Sequence, residues 1–261
     1  MRLYLYVEDQ YHQAYEALAR KWYATSDGSC DVSAIRAVRL RPDQMCHEMR
    51  DHVLLAHRSG FNCIVFVLDR EAPHARTDLI DQIQAAFDRL CNALPDDKEL
   101  DGVTLGLVIA ESCLECWLLT DTQAVVRFAC RNRQQVSYRP EQSNETERLN
   151  PKQASDAIRH ILRETARKQG NRNANRLKHE KSANADIVEH MADIGQAIRR
   201  NGSLLTFCKL VTCRHKGCVH LISSSLLSVS SFVSTRINTA TPAHAVSSTH
   251  LTLPMTYHVS I

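Results

Sequence analysis

The chain has 261 residues, 44% of them apolar and 23% charged, which is the balance of a folded globular protein and excludes a wholly disordered, collagen-like or coiled-coil chain. No apolar run reaches the 18 residues of a membrane-spanning helix, and the apolar stretch before Glu8 and Asp9 is too short for a signal-peptide core. The expected setting is therefore the cytoplasm, with no membrane partner. The formal net charge of +3 hides a division. Residues 1–121 carry 12 basic and 20 acidic side chains, and residues 122–211 carry 17 and 9. An acidic half suits a cation site and a basic half suits phosphate or an acidic surface, although two solvated faces of opposite sign would read the same way.

In chain order, Leu3–Val7 is a continuous apolar run of the kind a fully buried strand shows. Tyr11, Tyr15, Leu18 and Trp22 then fall on one helical face, which ends at Ser26–Ser29. Ala34–Leu40 is a second strand, followed by a helix capped by Asp43 and closed at Gly60. Cys63–Leu68 is the strongest strand signal, and the helix after it spans Thr77–Leu94. Val103–Ile109 is a fourth strand, leading into a helix over Glu111–Ala129. This alternation predicts an α/β fold with a mainly parallel sheet flanked by helices.

Beyond it, Asn132–Asn150 reads as a polar loop, Pro151–Lys168 as a helix, and Gly170–Lys181 as a basic irregular stretch. Asp186–Arg200 reads as a last amphipathic helix ended by Gly202 and Ser203, with a short apolar closing segment to Val211. The predicted domains are 1–130, an α/β domain; 131–211, a helical, basic C-terminal part; and 212–261, a low-order tail. No Asp or Glu follows Asp193, and sixteen of the residues from Ser223 to Ile261 are Ser or Thr. The string Ala245–Pro254 resembles a translated sequencing adapter, which makes 212–261 a candidate for a non-native reading frame.

Ten cysteines without a secretion signal point to reduced thiols. Cys113 and Cys116 have a redox or zinc spacing without a second pair, so they read as buried thiols. Cys208, Cys213 and Cys218, with His215 and His220 nearby, form only a weak zinc pattern.

The chemistry is concentrated in carboxylates that follow strands. Glu8 follows the first, Asp69 and Glu71 the third, and Glu111 and Glu115 the fourth, with Asp121 farther along. Strand ends of a parallel sheet share one edge, so Glu8, Asp69, Glu71 and Glu115 are the candidate catalytic residues. Glu8, Asp69 and Glu71 are the candidate metal ligands. Oxygen ligands suit Mg²⁺ or Mn²⁺, which polarise phosphodiesters and activate water. In an extended Asp-x-Glu step both carboxylates point the same way. Turn and cap residues give the same composition.

Val7-Glu8-Asp9 followed by Val67-Leu68-Asp69-Arg70-Glu71 resembles the Toprim pattern. Glu115-Cys116-Trp117-Leu118-Leu119-Thr120-Asp121 resembles the Glu-x-Trp-Leu-Leu-x-Asp signature of the bacterial family known as domain of unknown function 4276, as do Asn150-Pro151-Lys152, Lys181 and Gly202-Ser203-Leu204. The resemblance covers about residues 1–211. It implies a Toprim/Rossmann-like sheet with a helical C-terminal extension and an irregular tail, related to RloB-type proteins and to the nuclease domains of overcoming-lysogenisation-defect proteins. It further implies phage defence beside an ATPase partner, with Glu8 as general acid/base or metal ligand, Asp69 and Glu71 as metal ligands, Glu115 completing the site, and Asp121 ordering either the helix or the residues behind the site. Asp9 stands where Toprim domains have Gly, and the pair is Asp-x-Glu instead of Asp-x-Asp.

Two functions follow as expectations. One is an Mg²⁺-dependent Toprim-like nuclease. The other is a non-catalytic interaction protein of the same fold that docks an ATPase or nucleic acid. Around the carboxylates, Arg70 would contact phosphate or neutralise Asp69, Trp117 would be core or a base platform, and His12 and His74 would lie at the edge of the site. The basic run Lys168–Lys181, with Arg172, Arg176 and Lys178, would track a nucleic-acid backbone or be a solvated loop. No Walker A, dinucleotide-binding or Gly-x-Ser-x-Gly motif is present.

Overall fold

The computed structural model describes residues 1–25, 32–71, 75–142 and 145–212, and the backbone of 218–222. Five strands, β1 (Arg2–Val7), β2 (Ala34–Arg39), β3 (Cys63–Asp69), β4 (Thr104–Ala110) and β5 (Cys218–Ile222), form one sheet in the order β2-β1-β3-β4-β5. Every pairing is parallel, as the alternating sequence pattern predicts.

Both faces of the sheet are covered, which is why β1, β3 and β4 are apolar along almost their whole length, whereas β2 at the edge carries Arg36 and Arg39. Leu3, Leu5, Val65, Val67 and Val108 point to one face. Tyr4, Tyr6, Ile64, Phe66 and Leu107 point to the other, with the two-residue period of a pleat. The second face carries α2 (Pro42–His47), α3 (Met49–Arg58) and α4 (Thr77–Ala93). The first carries α1 (Gln13–Thr25), α5 (Leu114–Leu118), α6 (Thr122–Cys130), α7 (Pro151–Lys168), α8 (Asn184–Glu189), α9 (Ile194–Ala197) and α10 (Gly202–Val211). The basic C-terminal part, expected as a region of its own, thus shares one core with the strands.

Several expected helices are broken, each for a local reason. Pro42 occupies the first helical turn, so Asp43 lies inside α2 instead of capping it, and Glu48 at φ −118°, ψ 14° separates α2 from α3. The helix expected over Glu111–Ala129 starts only at Leu114. It tightens into a 3₁₀ turn at Leu119–Asp121 and restarts where the Asp121 carboxylate accepts from the Ala124 N–H. Asp193 likewise caps α9 and divides the helix expected over Asp186–Arg200.

Gly202 and Ser203 begin a helix instead of ending one, because Asn201 accepts from the Leu204 N–H. The apolar closing segment is therefore α10, laid against β4. A Cβ on Gly106 would lie 3.4 Å from Leu210 Cδ1 and 3.3 Å from Val65 Cγ2, so the bare glycine backbone is what admits α10 so close. β5 falls inside the stretch expected to be low-order and extends the sheet beyond β4. Its run Cys-Val-His-Leu-Ile is short but rich in strand formers.

Cys46, Cys113, Cys116, Cys130 and Cys208 are free thiols, whereas Cys63 and Cys91, which pack on opposite faces of the sheet, each take part in a disulfide, against the expectation of reduced thiols throughout. Cys213, His215, His74 and residues 223–261 lie outside the described residues, as do the side chains of Cys218 and His220. No helix among the described residues is long and apolar enough to cross a membrane.

Candidate functional site

The strand order reverses between β1 and β3, and open parallel sheets bind ligands beyond the carboxyl ends of their strands at such a point. Glu8 leaves β1 there, its N–H bonded to the Val67 carbonyl. Asp69 ends β3 in register with Ala110, the last residue of β4. Two of the expected carboxylates thus flank the reversal.

They are held differently. Arg76 forks Glu8, its Nη1 donating to Oε2 and its Nη2 to Oε1, each at 2.8 Å. Its Nη1 also donates to the Asp69 main-chain oxygen at 2.8 Å, and Glu71 Oε1 stands 3.4 Å from it. The Asp69 carboxylate accepts from the Tyr15 hydroxyl at 3.3 Å. Burial, then the charges of Glu115, Glu8 and Asp9, hold its pKa well above the ordinary carboxylate range. Burial, then Asp69, does the same to the Tyr15 phenol.

Glu115, only 1% exposed, sits in the short helix α5 just past β4. Its Oε1 accepts from Asn184 Nδ2 at 3.1 Å, while its Oε2 is buried with no hydrogen-bond partner. Lys181 Nζ lies 3.9 Å from Glu115 Oε1 and 3.7 Å from Asp9 Oδ2. Burial works against that ammonium, but Glu115, Asp9 and Asp69 outweigh it and raise its pKa. His179 Nε2 meets Asn184 Oδ1 at 2.8 Å, and its Nδ1 meets Ser155 Oγ at 3.1 Å. Because the Asn184 amide already donates to Glu115, its oxygen accepts from His179 Nε2, which must carry a proton.

The four expected residues therefore divide. Glu8, Asp69 and Glu115 share one electrostatic neighbourhood, joined by Asp9, which the Toprim pattern does not supply. Glu71 stands apart: it is exposed, and its backbone is left-handed at φ 69°, so the alternation assumed for Asp-x-Glu is broken. Its N–H is spent on the Ser112 carbonyl, tying the end of β3 to the chain after β4. Among the described residues, no three His, Cys, Asp or Glu side chains stand ready to hold a metal ion.

Compared with family models, with curated proteins and with solved structures, the chain matches none.

The remaining candidates take plain roles. Arg70 Nε faces Glu111 Oε2 at 3.6 Å and not Asp69. Trp117 is buried against Tyr15 and Phe207, with Nε1 donating to Ser203 Oγ at 2.9 Å, so it belongs to the core. Asp121 caps α6 and binds Arg127 and the Ala192 N–H, as ordering the helix requires. His12 keeps Nδ1 buried without a partner. Cys113 and Cys116 lie 3.6 Å apart at the start of α5, both buried.

Sequence reading misses Arg76 because a left-handed residue at φ 57° swings it back over β1. It misses Asn184 and His179 because Asn184 reaches Glu115 across 69 positions and His179 reaches Ser155 across 24. Asp9, adjacent to Glu8, is the one it had grounds to include.

Proposed function

We propose that the carboxylates beyond β1, β3 and β4 bind a hard divalent cation, Mg²⁺ or Mn²⁺, and serve hydrolysis of a phosphodiester. One observation carries the reading. Glu115 is a fully buried carboxylate with an unpartnered oxygen, beside an Asp69 whose ionisation burial and three neighbouring carboxylates oppose. A charge left in that state is costly, and an added cation would relieve it. The donors are all oxygens, the set Mg²⁺ and Mn²⁺ prefer. Asp69, Glu115 and Asp9 would have to close around such an ion, with Lys181 moving aside from Asp9 and Glu115, whereas Glu8 would join only after Arg76 releases it. The resemblance of residues 1–211 to Toprim-like nucleases supports the same chemistry, and it alone supports phage defence and an ATPase partner.

A bound cation would polarise the phosphodiester and acidify a water molecule. The chain's own residues do the positioning. Asn184, fixed by His179, orients Glu115. Tyr15 orients Asp69. Lys181 balances the cluster and lies where it meets an anionic substrate.

The second reading, a non-catalytic interaction protein, draws on the Arg76 fork, which gives Glu8 the partners of a structural ion pair. Calorimetric titration of Mn²⁺ into the full chain, wild type against Asp69→Asn and Glu115→Gln, separates the two. The cleavage reading expects binding that either substitution weakens at least tenfold. Equal behaviour of all three proteins, or no binding by the wild type, would favour the second.

A further inference from the structure

The geometry points to a track for a single polynucleotide strand along the seam between α7 and the segment 170–181, delivering its phosphates to the acidic cleft. This extends the reading of the cleft given above, and its test does not depend on cleavage.

Ser155, Arg159, Arg163 and Arg167 are spaced four residues apart and lie along one face of α7. The segment after α7 runs back along that face, held at successive points. Arg167 Nη2 donates to Asn175 Oδ1, Arg163 Nε donates to the Leu177 carbonyl at 2.9 Å, and Ser155 meets His179. The next contacts are Asn184 with Glu115 and Lys181 with Asp9 and Glu115. The seam is thus one continuous series of contacts from the far end of α7 to the cleft.

It is lined with cations. Residues 151–181 hold nine Lys or Arg and three Asp or Glu, and Arg172, Arg176 and Lys178 are exposed. A groove on α7 is walled by Asp156, Arg159, His160, Arg163 and Arg167. Asp156 and Glu164 each hold one arginine, Arg159 and Arg167. A guanidinium has five N–H donors, so those arginines are steadied and keep donors for an anion.

The occupant follows from the lining. Protein partners need an apolar centre to their interface, and this groove has no apolar wall. Polar, strongly basic surfaces suit a phosphate backbone. The arginines form a single file about 6 Å apart along the helix axis, one line of cations for one backbone. The acidic cleft at its end repels phosphate until a cation is present, so the track supplies the attraction that the cleft lacks.

The test is fluorescence anisotropy of labelled single-stranded DNA and RNA oligonucleotides with the full chain in EDTA, from 50 to 250 mM salt. Two variants are compared with wild type, Arg159→Gln/Arg163→Gln/Arg167→Gln and Arg172→Gln/Arg176→Gln/Lys178→Gln, with thermal melts to verify folding. The second keeps the proposal testable should loss of the Arg163–Leu177 bond unfold the first. The expected result is salt-dependent binding that each folded variant weakens at least tenfold. The slope of log K against log salt should fall by about 2, since each lost single-strand phosphate contact removes about 0.7. No binding at 50 mM salt, unchanged binding by the folded variants, tighter binding of duplex, or equal competition by polyglutamate would overturn it. Binding without Mn²⁺ uptake would instead remove the cleavage reading and leave the track standing.

Discussion

Arg76 clasps both carboxylate oxygens of Glu8 and, with the same side chain, the main-chain oxygen of Asp69. One guanidinium from the start of α4 thereby ties the ends of β1 and β3 together across the reversal in strand order. It also keeps Glu8 out of the oxygen cluster around Lys181.

Arg76→Gln should therefore have two opposite effects. Loss of a mostly buried charge-assisted pair should cost about 1–3 kcal/mol of stability in urea denaturation. The freed Glu8 should strengthen Mn²⁺ binding at least threefold by calorimetry.

Asp69 makes stability depend on pH in a definite direction. Its folded pKa lies above the ordinary 3.8, so the folded state holds the proton more tightly than the unfolded one. That contribution is complete below about pH 4 and is lost as pH rises through the folded value. Metal-free wild type should lose stability relative to Asp69→Asn on going from pH 4.5 to pH 8, by at most about 1.4 kcal/mol per pH unit. Denaturant melts of both proteins at the two pH values measure it.

Saturating Mn²⁺ should stabilise the wild type by about 2.7 kcal/mol at one hundred times its dissociation constant, read as a rise in melting temperature. Glu115→Gln should abolish that rise while raising metal-free stability, since it removes a buried carboxylate with an unpartnered oxygen. Glu71→Gly should leave Mn²⁺ binding within twofold of wild type. Glycine suits a φ of 69°, and the exposed Glu71 carboxylate is not among the charges that act on Asp69.

Trp117→Ala should destabilise by about 3–5 kcal/mol, as truncating a buried aromatic does. Trp117→Phe should cost less, mainly through the Ser203 hydroxyl that loses its donor. Oligonucleotide binding by a folded Trp117→Phe protein should match wild type, because the ring is sealed in the core.

What the sequence reveals is whatever short-range pattern controls. β1, β3 and β4 are buried on both faces, so unbroken runs such as Cys63–Leu68 announce them. Glu8, Asp69 and Glu115 are legible because the ends of parallel strands share an edge whatever the rest of the fold does. Legibility stops where one side chain redirects the backbone. Asp121, Asp193 and Asn201 cap helices in the middle of periodic stretches, and Glu71 and Arg76 enter left-handed conformations that nothing in their neighbours announces. It stops again where partners are remote. The Lys181 contacts with Asp9 and Glu115, and the Asn184 contact with Glu115, leave no local trace.

The long excursion between β4 and β5, which holds every helix from α5 to α10, has a consequence for how the molecule comes together. β1 through β4 and the helices between them assemble from near neighbours in the chain. Asp9 and Lys181, by contrast, meet across 172 positions, and such closures are slow and entropically expensive. Lys181, Asn184 and His179 thus come to the cleft later than the carboxylates at the ends of β1, β3 and β4, and a newly made chain would have its first four strands before its cleft is complete.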